Sequence, residues 1–166
     1  ACAAVGVTCV HLHARDEQGR PTGSPDVYAR MIEGLRSQRP DLIIGVSCTG
    51  RDEGDFAKRS AVLDLDGDVK PDMASLTLSS LNFNRQASVN APQTIQDLAL
   101  KMRDRGIKPE LEAFDLGMIN YARYLERKGL IAPPFYFNLI LGNIACAQAD
   151  LMHAGLMVRE LPGNSW

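Results

Sequence analysis

Short apolar runs alternate with amphipathic stretches along the whole chain, and this rhythm limits the folds open to it more than any other feature. The first run is Val5 to His13. A loop through Pro21, Gly23 and Ser24 follows. Ser24 is placed to cap a helix, with Pro25 at the first helical position, where a missing N–H costs nothing. Val27, Met31 and Leu35 then recur at helical spacing until Pro40 ends the pattern. The second run, Leu42 to Ser47, leads to a helix expected from about Asp55 to Leu65. The third is Met73 to Leu78. Asn90-Ala91-Pro92 then opens a helix carrying Ile95, Leu98 and Met102, closed by Gly106. The fourth is Pro109 to Phe114, after which Asp115 caps a helix with Ile119, Ala122 and Leu125, closed by Gly129. Beyond Pro133-Pro134 comes the fifth run, Phe135 to Leu141, and a last helix is expected over Ala145 to Ala154.

Strands joined by helical crossovers make a parallel α/β sheet. It can be laid out as an open doubly wound sheet or as a (β/α) barrel. No G-x-G-x-x-G follows a strand, which weakens the dinucleotide-binding layout. Polar residues close nearly every run: His11 and His13, Ser47, Ser79, Glu112, Asn138. A barrel brings such strand ends together on one face. The expected fold is therefore an α/β (β/α)8 TIM barrel, incomplete here, with about five strands present and the first and last missing. Residues 1–166 read as a single domain and an internal fragment of that barrel: the chain opens without Met and closes on the loop Pro162 to Trp166.

Composition excludes several classes of function. Hydrophobic residues make up 45 % and the formal net charge is −2, so no nucleic-acid partner is expected. No apolar run approaches the ~20 residues of a spanning helix, and no basic segment precedes one at the N-terminus. The four cysteines form no C-x-x-C pair. They read as reduced, buried thiols of a cytoplasmic protein.

The sharpest chemical signal is Cys9-Val10-His11-Leu12-His13. Alternate side chains of a strand share a face, so both imidazoles point the same way and can converge on one cation, or stand as satisfied barrel histidines. Cys9 shares that face and reads as packing rather than as a ligand. In Lys108 to Asp115, Glu110, Glu112 and Phe114 share one face. A Glu inside an apolar strand is costly unless it pairs with a Lys or Arg or serves a function near a cation or a substrate proton. Ser47 and Ser75 are small hydroxyls on strands, and Ser79, Ser80, Asn82 and Asn84 crowd the loop after the third run. Such hydroxyls bond local backbone or recognise carboxylates and thioesters. Arg15 and Asp16 read as a surface pair, and His153 as a solvated or packed helix residue.

Val10-His11-Leu12-His13-Ala14-Arg15-Asp16 resembles the V-H-L-H-x-R-D signature of the β-keto acid cleavage enzymes, the group that includes the 3-keto-5-aminohexanoate cleavage enzyme. The likeness continues through Ser47-Cys48-Thr49-Gly50, Lys70 to Leu76, Asn82-Phe83, Lys108 to Asp115, Leu141-Gly142-Asn143 and Met157 to Pro162, so it spans essentially the whole chain. It implies a zinc-dependent acyltransferase that condenses a β-keto acid with acetyl-CoA and releases acetoacetate and a new acyl-CoA. By the same resemblance His11 and His13 are zinc (Zn2+) ligands. Ser47, Ser75 and Glu112 are catalytic, and Ser79 and Asn82 bind substrate. Acetyl-CoA is the co-substrate, and a homo-oligomer is expected. The family's third zinc ligand is a Glu in a motif like R-x-G-x-E-D, which this sequence does not contain. Residues 1–166 alone are therefore expected to be inactive and to hold zinc poorly. Two alternatives remain: a catalytically incomplete barrel, and an amidohydrolase-type metal hydrolase, which also uses H-x-H at a strand end.

Overall fold

A computed structural model describes residues 5–51 and 53–166. In chain order the elements are β1 (Cys9–Leu12), α1 (Pro25–Arg36), β2 (Ile43–Val46), α2 (Phe56–Ser60), β3 (Met73–Thr77), β4 (Leu81–Asn82), β5 (Ala87–Ser88), α3 (Pro92–Asp104), β6 (Lys108–Ala113), α4 (Leu116–Arg127), β7 (Tyr136–Leu139) and α5 (Leu151–Arg159). Five strands form one parallel sheet in the order β1-β2-β3-β6-β7. Spatial order follows chain order with no reversal, whereas a doubly wound sheet reverses at its switch point. The sheet is also strongly curled. A side chain of β6 reaches one of β1 across the concave side, although β2 and β3 lie between them. The result is a half-barrel of the TIM type. Beside β7, Phe135 N–H donates to the carbonyl of Asn164, and Trp166 N–H to that of Phe135, so the final residues run along this strand as well.

The helices bury the faces their periodicity marks. Tyr28 and Ile32 of α1, Ile95, Leu98 and Met102 of α3, and Met118, Ile119, Ala122 and Leu125 of α4 join Ile44, Val46, Leu76 and Leu111 of the strands in one core. Each such Leu or Ile contributes roughly 1.5–3 kcal/mol of burial. Asp115 caps α4 by accepting from Met118 N–H, as its position predicts.

Several local expectations are corrected. The Ser24 side chain makes no capping bond; Pro25 alone marks the start of α1. The helix expected from Asp55 to Leu65 is α2 alone, capped by Asp55, after which the chain tightens into a 3-10 turn over Ala61–Asp64. That turn sets Val62 and Leu63 into the core. The last helix begins at Leu151 rather than Ala145. Residues 142–147 form a loop instead, tied by Gly142 N–H to the Ala147 carbonyl and by Ala147 N–H to that of Phe114, and Asp150 supplies the cap. Asp16 pairs with Arg20, while Arg15 donates to the Gly19 carbonyl. Of the described cysteines, Cys48 is buried, Cys9 exposed and Cys146 intermediate. Cys2 lies outside the described residues. Burial pushes the Cys48 thiol up to about 12. Among the described residues no helix is long and apolar enough to cross a membrane.

Candidate active site

The C-terminal ends of the strands enclose a cleft of about 320 Å³, the face on which (β/α) barrels carry their chemistry. Its walls include His11 and His13 from β1 and its end, Ser47 after β2, Thr77 of β3, Glu112 of β6 and Asn138 of β7. A cleft of about 380 Å³ adjoins it and shares His13, Ser47 and Thr49.

The histidines stand with ring centres 4.7 Å apart and planes tilted by 41°. His11 Nδ1 lies 2.6 Å from Glu110 Oε2, and Asn138 Nδ2 donates to Glu110 Oε1 at 3.0 Å. Burial raises the Glu110 carboxyl, but the hydrogen bond and charge of His11, with Asn138, carry it below its usual range. Glu110 is therefore an ionised acceptor, and Nδ1 must carry the proton it accepts. That fixes the ring and leaves Nε2 for a cation or a substrate atom, the arrangement second-shell carboxylates impose on metal-binding histidines. The same hydrogen bond raises the pKa of His11 against the effect of burial. His13 is shifted the other way, by burial first and then by the charges of His11, Arg51 and Arg15, so it is neutral near pH 7. A neutral imidazole is the form a metal takes. The pair fits two positions of a metal shell. Among the described residues no group of three His, Cys, Asp or Glu is placed to hold a metal ion.

Among the described residues Glu112 answers the cost of a carboxylate in an apolar strand without an ion pair. Thr77, its register partner on β3, donates from Oγ1 to Glu112 Oε2 at 2.6 Å. Burial, opposed by the Thr77 bond and joined by the Glu110 charge, raises its pKa. A carboxyl raised in this way, at the wall of a cleft, is suited to take up and return a proton.

The loops around the cleft are pinned by a residue that gives no sequence signal. Arg59 of α2 is buried and donates to the Cys48 carbonyl, to the Val89 carbonyl and to Asn90 Oδ1. It thereby ties the turn after β2 to the segment after β5. A Cβ at Gly50 would lie 2.6 Å from the Arg59 guanidinium and 2.7 Å from the Val89 carbonyl, so only glycine lets these segments close.

Of the residues expected to form a site, the fold brings His11, His13, Ser47 and Glu112 together in the cleft. Ser75, Ser79 and Asn82 are not among its lining residues. Ser75 Oγ accepts from Cys48 N–H and so supports the turn below the cleft. The Ser79 and Asn82 carbonyls accept from Asn90 and Asn143 side chains. His153 bonds Asp150 on α5, away from the strand ends. Sequence reasoning missed Thr77, Glu110 as a histidine partner, Arg51 and Arg59. Thr77 was the most accessible of these, since it shares the strand face of Ser75 two residues away.

Comparison with known proteins follows the same lines. The family model described as beta-keto acid cleavage enzyme matches residues 1–166. The chain is 39 % identical over 137 residues to the 3-oxoadipate:acetyl-CoA acetyltransferase of Cupriavidus necator, covering 82 % of this chain and 46 % of that protein. It is 32 % identical over 163 residues to the 3-keto-5-aminohexanoate cleavage enzyme of Fusobacterium nucleatum, covering 97 % of this chain and 58 % of that protein. Among solved structures it resembles the apo structure of ObcA, with a TM-score of 0.72 and 25 % identity over 84 % of this chain and 33 % of that one. The chain thus spans about half the length of the relatives it matches.

Proposed function

This chain belongs to the beta-keto acid cleavage enzyme family, and on that footing we propose that the full protein transfers the acyl part of a β-keto acid to coenzyme A while making acetoacetate from acetyl-CoA. The observation that carries the reading is the cleft itself: two neighbouring imidazoles, that of His11 oriented by an ionised carboxylate, in one cleft with a second carboxyl of raised pKa.

In this reading Glu112 takes a proton from C2 of the β-keto acid, with Thr77 holding the carboxyl in place. C2 then attacks the acetyl carbonyl carbon and the CoA thiolate leaves. That thiolate adds to the original keto carbon, and the bond between this carbon and C2 breaks. The products are the new acyl-CoA and the enolate of acetoacetate, which takes its proton back from Glu112. Ser47 lines the cleft and would donate to a substrate oxygen. Ser75 acts by supporting the turn that carries Ser47 and Cys48. Ser79 and Asn82 are carried over as substrate-binding residues by family resemblance. His11 and His13 would hold zinc, which when bound supplies Lewis-acid charge for the keto and carboxylate oxygens. A third protein ligand would complete its shell, as catalytic zinc sites take three. A cytoplasmic homo-oligomer is part of the same reading. So is the inactivity of residues 1–166 expressed alone, since they carry two of those three ligands.

The test is acetoacetate formation by the full-length protein from a panel of β-keto acids with acetyl-CoA, with zinc content measured in wild type and His11→Ala. Acetoacetate from at least one acid, with zinc lost in the variant, supports the reading. Hydrolysis of esters or amides without acetoacetate overturns it.

A further inference from the structure

The reaction above leaves one cation of the cleft without a task. Arg51, in the turn after β2, is the one lysine or arginine among the described residues that line it. Its guanidinium carbon lies 4.3 Å from the centre of the Phe83 ring. Phe83 follows β4 and meets Phe114, at the end of β6, edge to face at 5.8 Å and 89°. The platform under Arg51 is therefore braced by the strand framework. A guanidinium stacked on a ring keeps its N–H edge available, and that planar edge matches a carboxylate in bidentate fashion.

Nothing described in the cleft consumes this charge. Glu110 is taken by His11 and Asn138, and Glu112 by Thr77. Among the described residues Arg51 makes no ion pair, although its charge is felt at both His13 and Glu112. The carboxylate that every β-keto acid carries adjoins the reacting carbon, and so belongs with the imidazoles and Glu112. Arg51 enters the same cleft from the loop after β2, on an aromatic support of its own, whereas the imidazoles and Glu112 enter from β1 and β6. The two carboxylates of the walls would repel a second negative group unless a cation met it.

We propose that Arg51 is a specificity residue that receives a second anionic group at the far end of the substrate, so that the cleft selects β-keto dicarboxylic acids over β-keto acids with neutral or cationic tails. The assignment rests on the reaction proposed above.

Two measurements on the full-length protein test it, in wild type, Arg51→Gln and Arg51→Lys. The first is binding of straight-chain dicarboxylates of five to seven carbons against monocarboxylates of the same length. The second is kcat/KM, with acetyl-CoA, for a β-keto dicarboxylate and a β-keto monocarboxylate of equal length. Wild type should favour the dicarboxylate in both. In Arg51→Gln that preference should fall by about tenfold to a hundredfold, the worth of a charged hydrogen-bonded pair, and the loss should appear in KM rather than kcat. Arg51→Lys should recover part of it. A preference unchanged in Arg51→Gln, or a wild type that favours the monocarboxylate, overturns the proposal. Dicarboxylate binding that depends on Arg51, with no acetoacetate from any keto acid, would discard the reaction and keep the anion site. Acetoacetate formation without Arg51-dependent preference would do the reverse.

Discussion

His11 Nδ1 and Glu110 Oε2 stand 2.6 Å apart although two strands separate β1 from β6 in the sheet. Only the curl of the half-barrel makes the contact possible, and Asn138 anchors the far oxygen of the same carboxylate from β7. Three strands are thus fastened together on the concave side by one buried acid. Glu110→Ala should leave the His11 N–H and the Asn138 amide unpaired and cost about 1–3 kcal/mol for each, read by urea denaturation. In the full-length protein zinc affinity should also fall by about tenfold to a hundredfold, as it does when an orienting carboxylate is lost. Unchanged stability together with unchanged zinc binding would show that the carboxylate orients nothing.

Glu112 should trade stability for activity. Its folded pKa is raised above the ordinary 4.5, chiefly by burial. Between those two values the folded state keeps a proton that the unfolded chain has lost. Stability therefore falls as pH rises through that window, and the deficit persists above it. Glu112→Gln cannot ionise and keeps the shape that Thr77 meets. Its melting temperature should exceed that of wild type at about pH 8 and converge with it below about pH 4. Acetoacetate formation should drop by about 10²–10⁴-fold, the range for a lost general base. A variant less stable than wild type across the whole range would contradict the account.

Arg59 should matter to stability far more than a basic residue on a short helix normally does. It is 5 % exposed, and its guanidinium is satisfied by the Cys48 and Val89 carbonyls and by Asn90. Arg59→Met should cost on the order of 3 kcal/mol, because these buried acceptors lose their donor together. Chemical denaturation of the variant gives the number. A loss below about 0.5 kcal/mol, typical of a surface site, would mean the two loops are held by something else.

Neighbouring glycines in the same loop should respond in opposite ways. A Cβ at Gly50 meets the Arg59 guanidinium and the Val89 carbonyl, and the carbonyl cannot swing aside. Gly50→Ala should cost about 1–3 kcal/mol and loosen the turn that carries Arg51. A Cβ at Gly54 meets nothing within 4 Å, so Gly54→Ala should change stability by no more than about 0.5 kcal/mol. Thermal melts of both variants side by side would expose any reversal.

What could be read from the sequence was what depends on local period. Two-residue alternation places His11 with His13 and Glu110 with Glu112, and the helical repeats locate α1, α3 and α4 to within a few residues. Asp115 was readable as a cap because its partner lies three residues away. Pairings across the curl were not readable. Nothing near Glu110 in the chain says that His11 is its partner and that Thr77 serves Glu112. Ser75 looked like a site hydroxyl, but the N–H it accepts from is at Cys48, on another strand. Arg59 gave no signal, because its role depends on carbonyls from two separate loops. β4 and β5 have two residues each, too few for alternation to show.

Carbon tracking in a single incubation tests the proposed function most directly. The full-length protein is given an unlabelled β-keto acid and acetyl-CoA with both acetyl carbons labelled as ¹³C. If C2 of the keto acid attacks the acetyl carbonyl and the original acyl group leaves on CoA, acetoacetate carries the label at C3 and C4 only, and the new acyl-CoA carries none. Label released as free acetate, or an absence of labelled acetoacetate with every β-keto acid tried, would contradict it.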